Sequence, residues 1–248
     1  MIKEIMHSPT MLFLLAFPLK LAIASFLERR FYAHDFDRWA ALRVDLASMV
    51  LFIVVIFPIA KYLSNLVGIG LPVSHQIDSV PLTLRVVMYL VVADFGHYWL
   101  HRLIHQPLLW RVHQWHHSPT HMSWAAGYRE TVFDSAIVNL AYVFAWPLLG
   151  TTNYRLELAL LALVAFKNEW MHLNVRWRMP WLEWLIVTPR YHHIHHSVDA
   201  QHHNKNIATL FPVWDHLFGT YMDPDTVKGG IQFGIGEEVP TVRLIAGV

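Results

Sequence analysis

The chain contains no cysteine. That absence excludes disulfides, thiolate-bound metals, iron–sulfur clusters and a cysteine nucleophile. Charge is also scarce: Asp, Glu, Lys and Arg make up 15% of the 248 residues, against about 25% in an average soluble domain. The formal net charge of +1 leaves no basic footprint for nucleic acid, so no nucleic-acid partner is expected. Internal repeats, low-complexity tracts and Gly/Ser linkers are missing, which points to a single domain over 1–248. What is abundant is apolar surface. Hydrophobic residues reach 55% and the mean hydropathy is +0.34. That combination suits a polytopic membrane protein better than a disordered or ordinary soluble chain. The second excess is histidine, with 18 residues, as many as Asp and Glu together. Thirteen of them fall within 97–121 and 192–203.

A spanning helix needs about 20 mostly apolar residues. Five stretches come close: 11–27, 44–63, 80–100, 135–150 and 154–171. The second carries no charge between Asp45 and Lys61, whereas Pro18 and Lys20 interrupt the first. A tight turn at 150–153 should join the last two as a hairpin. Alternating the spans puts thirteen Lys and Arg residues on the side holding 28–43, 101–134 and 172–248, and four on the other. By the positive-inside rule the first side is cytoplasmic, and it owns nearly every clustered histidine. Ala22-Ile23-Ala24 has the look of a signal-peptidase site, but the charge bias favours an uncleaved anchor. The expected architecture is an all-α membrane bundle of about four to five apolar helices under a cytoplasmic helical cap.

The histidines fall at ligand spacing. His101 and His105 are four residues apart and share a helix face. His113, His116 and His117 do the same at i, i+3 and i+4, and His192, His195 and His196 repeat that pattern. Thr188-Pro189 supplies an N-cap and a first-turn proline for a short helix under the last box. His172 stands alone at the end of the fifth apolar stretch. His7, His34 and His75 are expected in loops or interfaces. Two, three, three and one make nine imidazoles, too many for one ion, so two metals are expected. Imidazole suits iron, zinc, copper and nickel; only a redox metal can activate dioxygen, which favours iron.

Asp94 to Arg102, Leu109 to Ser118, Glu169 to Val175, Thr188 to Ser197, Asn206 and Trp214 to Tyr221 resemble, in this order, the motifs of the fatty acid hydroxylase / sterol desaturase superfamily of integral-membrane di-iron oxygenases. The resemblance covers about 94–221. It implies a membrane enzyme that hydroxylates or desaturates a lipid with O2 and external electrons. It further implies two iron ions, with zinc as a substitute, held by His101, His105, His113, His116, His117, His172, His192, His195 and His196. His97, His121, His193, His202 and His203 are left as outer groups. Asp94, Asp199 and Asp215 are candidates to accept the free N–H of a ligating ring. Some relatives carry a fused cytochrome b5 domain. The chain has no room for one, so a separate donor of cytochrome b5 or ferredoxin type with its reductase is expected. One departure is the run Arg129-Glu130-Thr131-Val132-Phe133, where many relatives read Arg-x-His-Pro. The rival readings are a zinc-dependent membrane hydrolase and a metal-binding membrane protein. Against the first, Glu130 and Glu169 sit outside any H-E-x-x-H frame.

Overall fold

The computed structural model describes residues 9–68, 75–150 and 154–248. His7 and residues 151–153 of the turn expected at 150–153 lie outside them. The described residues are helical and contain no sheet, only one isolated antiparallel bridge between Ser197 and Phe233. Helix α1 (Pro9–Phe31) runs through Pro18. Helix α2 (Arg38–Leu51) starts at Asp37, whose carboxylate accepts the Trp39 and Ala40 N–H groups. It continues through a π-helical turn (Phe52–Ile56) into α3 (Phe57–Gly68). Pro58 explains that turn. It has no N–H to offer the Val54 carbonyl, and the chain widens so that the Phe57 N–H bonds the Phe52 carbonyl.

Helix α4 (Leu82–Ile104) ends at the first histidine box, and α5 (Trp110–His117) carries the second. Helices α6 (Val132–Ala145) and α7 (Tyr154–His172) occupy the last two expected apolar stretches. Helix α8 (Pro189–His195) carries the third box, capped at Thr188 as the sequence leads one to expect. Two short helices, α9 (Val213–Phe218) and α10 (Thr241–Ala246), close the chain.

Among the described residues, two helical stretches are long and apolar enough to cross a membrane, Arg38–Gly68 and Val132–Leu149. Helix α6 packs against both α3 and α4. Tyr89, Ala93, Ala145, Leu149 and Leu160 fill the space between α4, α6 and α7. A second cluster, with Tyr98, Met171, Val187, Tyr191, Ile207 and Ala208, packs beneath the third box. Polar ties lock the ends together. The buried Asn174 side chain accepts the Ala33 and His34 N–H groups and donates to the His34 carbonyl, fixing the exit of α1 to the exit of α7. Asp45, fully buried on α2, pairs with Arg129 at 2.6 Å and with His121 at 2.7 Å. These ties bring four separate stretches of histidine to one end of the apolar helices.

Candidate metal centre

The helix ends position the rings. His101 lies in the last turn of α4, and His105 is its C-cap. His113, His116 and His117 share one face of α5, and His172 closes α7. His192 and His195 project from α8, with His196 as its C-cap. All nine converge, in two groups. His101, His105, His113, His117 and His195 form one; His116, His172, His192 and His196 form the other. Within each group the nitrogens lie within 4.8 Å of one another. The groups touch: the His117 and His196 rings stack at 4.3 Å, and those of His113 and His116 at 4.9 Å.

Carbonyl and carboxylate oxygens only accept, so the rings bonded to them must donate, which sets their tautomers. His101 Nδ1 donates to the Ile207 carbonyl at 2.8 Å, and His195 Nδ1 to the Lys205 carbonyl at 3.1 Å. His113 Nδ1 donates to Asp134 at 2.9 Å, and His172 Nδ1 to the Asn168 carbonyl at 2.7 Å. In the neutral rings Nε2 then carries a lone pair. Yet His101 Nε2 and His113 Nε2 stand 3.1 Å apart. Two facing lone pairs repel unless a proton or a cation lies between them. Burial, aided by neighbouring imidazoles, holds both rings well below the ordinary imidazole value, which disfavours the proton. A cation remains. Two nitrogens about 2.0–2.1 Å from one ion stand about 2.9–3.4 Å apart at ordinary ligand angles. His192 Nε2 fits the same distance, at 3.3 Å from His172 Nε2 and 3.0 Å from His196 Nε2.

Other nitrogens support this. His105 Nε2, His116 Nδ1, His117 Nε2 and His195 Nε2 are buried without a hydrogen-bond partner. An unsatisfied buried polar atom costs about 1–3 kcal/mol, and four on one set of rings fit coordination. Burial lowers His105, His116, His117, His192 and His196 well below the ordinary value and His195 to about 4. All are neutral donors at pH 7, and without thiolate they suit iron, zinc, copper or nickel.

The supporting carboxylates differ from the expected ones. Asp94, Asp199 and Asp215 touch none of the nine rings. Asp215 accepts the Ile207 and Ala208 N–H groups and the hydroxyls of Tyr191 and Thr220. It therefore fixes the backbone whose carbonyls fix His101 and His195. Asp94 does likewise for the next segment, accepting from Phe211 N–H and the Trp214 indole. Asp199 caps the turn at Gln201. The ring partner is Asp134, which sequence reasoning missed. Its signal was the cap Thr131-x-x-Asp134, and Thr131 does accept the Asp134 N–H. The outer histidines are engaged elsewhere: His193 donates to the Leu173 carbonyl, His121 meets Asp45, His202 meets the Ser197 hydroxyl and His97 meets the Tyr142 hydroxyl. His203 is exposed.

A cavity of about 330 Å³ leads to the rings. His101 and His113 of one group and His116 and His192 of the other line it. Its walls come from both membrane-length stretches: Phe52, Ile53 and Phe57 on one, Val138, Asn139 and Tyr142 on the other. The π turn that the sequence reading did not anticipate thus shapes the cavity wall.

The sequence pattern of the fatty acid hydroxylase family matches residues 86–220. Ornithine lipid hydroxylase OlsE of Rhizobium tropici is 34% identical over 154 residues, covering 59% of this chain and 44% of its own. Human (Homo sapiens) alkylglycerol monooxygenase is 31% identical over 133 residues, covering 52% and 28%. Methylsterol monooxygenase 1-3 of Arabidopsis thaliana is 27% identical over 211 residues, covering 81% and 69%. The chain thus spans less than half the length of the first two. No solved structure matches it.

Proposed function

The chain belongs to the fatty acid hydroxylase family, and on that premise we propose that it is an integral-membrane di-iron oxygenase that hydroxylates or desaturates a lipid. One observation carries this reading: two adjacent groups of neutral imidazoles, five and four, at the end of a cavity walled by membrane-length helices. His101, His105, His113, His117 and His195 hold one iron, and His116, His172, His192 and His196 hold the other. Bound iron would supply the activation of O2 and the oxidising power to remove hydrogen from a C–H bond. Overall, the lipid C–H bond, O2, two electrons and two protons give an alcohol and one water; where a second hydrogen is lost instead, the same O2, electrons and protons give C=C and two waters.

The protein's own part is geometry and exclusion. Asp134 and the carbonyls of Lys205, Ile207 and Asn168 hold four rings with Nε2 facing inward. Phe52, Ile53, Phe57, Leu161 and Val164 give the cavity an apolar approach that suits a hydrocarbon tail and keeps water from the centre. The histidine cap lies on the cytoplasmic side, where a separate cytochrome b5 or ferredoxin-type donor with its reductase supplies electrons.

A zinc-dependent hydrolase is the second reading, and one observation favours it. Glu130 lines the same cavity, and burial pushes its carboxyl up to about 7, the range of a general base. Lipid mass spectrometry of cells with and without the chain, beside metal analysis and oxygen uptake of anaerobically purified protein, separates the two. Iron with lipid-dependent oxygen uptake supports the oxygenase. Zinc with no oxygen uptake overturns it.

A further inference from the structure

The cavity wall carries two kinds of side chain. Phe52, Ile53, Phe57, Val138, Leu161 and Val164 are apolar. Glu130, Asn139, Tyr142, Lys167 and Thr209 make its polar part, in which Lys167 bonds to Tyr142 and Thr209. Lys167 is the odd member. It is buried on α7. A buried charge is costly unless it is paired and hydrogen-bonded. Its ammonium donates to the Tyr142 hydroxyl at 3.1 Å and to the Thr209 hydroxyl at 2.9 Å. An ammonium has three N–H bonds, which leaves one for the cavity that Lys167 lines. Glu130 faces the same space, hydrogen-bonded to Ser135 and drawn electrostatically to Lys167.

A plain hydrocarbon entering this cavity would strip water from an ammonium and a carboxyl without replacing a single hydrogen bond. Sites built to hydrogen-bond a substrate reject the analogue that lacks the polar group, because their own groups are left unpaired. We propose that this polar part of the wall receives the head group of an amphiphilic lipid, so that the oxidised bond lies within the first few carbons of that head group. The head group is neutral and both donates and accepts, as a hydroxyl or an amide does. Lys167 donates to it and Glu130 accepts from it. A net anion meets Glu130, and a net cation meets Lys167. The position of oxidation rests on the oxygenase reading; the capture of the head group does not.

The test uses full-length protein in nanodiscs, with 1-octadecanol, octadecanamide and octadecane as probes of equal chain length. Retained probe is measured by mass spectrometry relative to empty nanodiscs, with metal content measured in parallel. The alcohol and the amide are expected to be held at least about tenfold better than the alkane. Lys167→Met, close in shape, is expected to lose about tenfold in alcohol retention at unchanged metal content. Equal retention of alcohol and alkane, or a folded Lys167→Met that retains the alcohol like the wild type, overturns the proposal. If Lys167→Met does not fold, Glu130→Gln decides by the same criterion. Product analysis adds the position: oxygen or unsaturation at mid-chain or at the terminal methyl overturns it. Absence of iron would remove the oxygenase reading, while the retention experiment would still decide head-group capture.

Discussion

The five-imidazole group and the four-imidazole group meet ring against ring, yet they are supported differently. In the first, three rings donate to acceptors outside their own helices: the Ile207 and Lys205 carbonyls and the Asp134 carboxylate. In the second, His172 donates to Asn168 of its own helix, and the Arg129 carbonyl faces His116. A side-chain carboxyl hydrogen-bonded to a ring thus backs one group, and backbone carbonyls back the other. A carboxylate behind an imidazole raises its basicity as a ligand. The five-ring site should therefore hold its ion more tightly, and the four-ring ion should be the first lost to a chelator.

The largest expected effect breaks either site. His195→Ala removes a ring from the first group and His116→Ala one from the second; each is expected to lower lipid turnover at least about a hundredfold, more than loss of an outer partner does. Metal analysis should show loss of one ion first, from the group that was cut. Asp134→Asn comes next and removes the asymmetry itself. Loss of an outer-shell partner typically costs about 10–100-fold in metal affinity or activity. Chelator titration of this variant should no longer resolve a tight site from a weak one.

Acidification sharpens the same comparison. Burial lowers these imidazoles from the ordinary 6.5, His195 to about 4. Between those values the unfolded chain binds more protons than the folded one. The stability and metal affinity they support are therefore full above about pH 6.5 and are lost as pH falls toward 4. Metal content and thermal melting measured from pH 7.5 to 4.5 should fall together, the weaker site first. The smallest effect belongs to Asp215→Asn. It leaves the rings untouched and disturbs the acceptor of two backbone N–H groups and two hydroxyls, at a cost of about 1–3 kcal/mol. A lower melting temperature with both metals retained is the expected result.

Much of this centre was legible in the sequence, because helical spacing alone decides which imidazoles share a face. The runs ending in His105, His117 and His196 needed only a helix of the right register, and the Thr188 cap supplied one. Their partners were harder to read. Two of them are the carbonyls on either side of Asn206, and that residue sits at φ 51°, in the left-handed region. Asparagine tolerates this conformation better than most side chains, but no side-chain pattern announces where the flanking carbonyls will point. Asp94 and Asp215 were singled out as partners of a ligating ring, yet a carboxylate beside several free N–H groups satisfies the backbone first. Asp134 escaped notice because it reads as part of a helix cap, which it also is. Two of the five expected apolar stretches, 44–63 and 135–150, correspond to membrane-length helices among the described residues, while the π turn at Phe52–Ile56 depends on one missing N–H at Pro58.

Metal content tests the two-iron centre most directly. Protein purified without oxygen from iron-replete cells should hold two iron ions per chain. A chain that is folded, by an unchanged helical spectrum, but holds no iron, or a single ion, would contradict it.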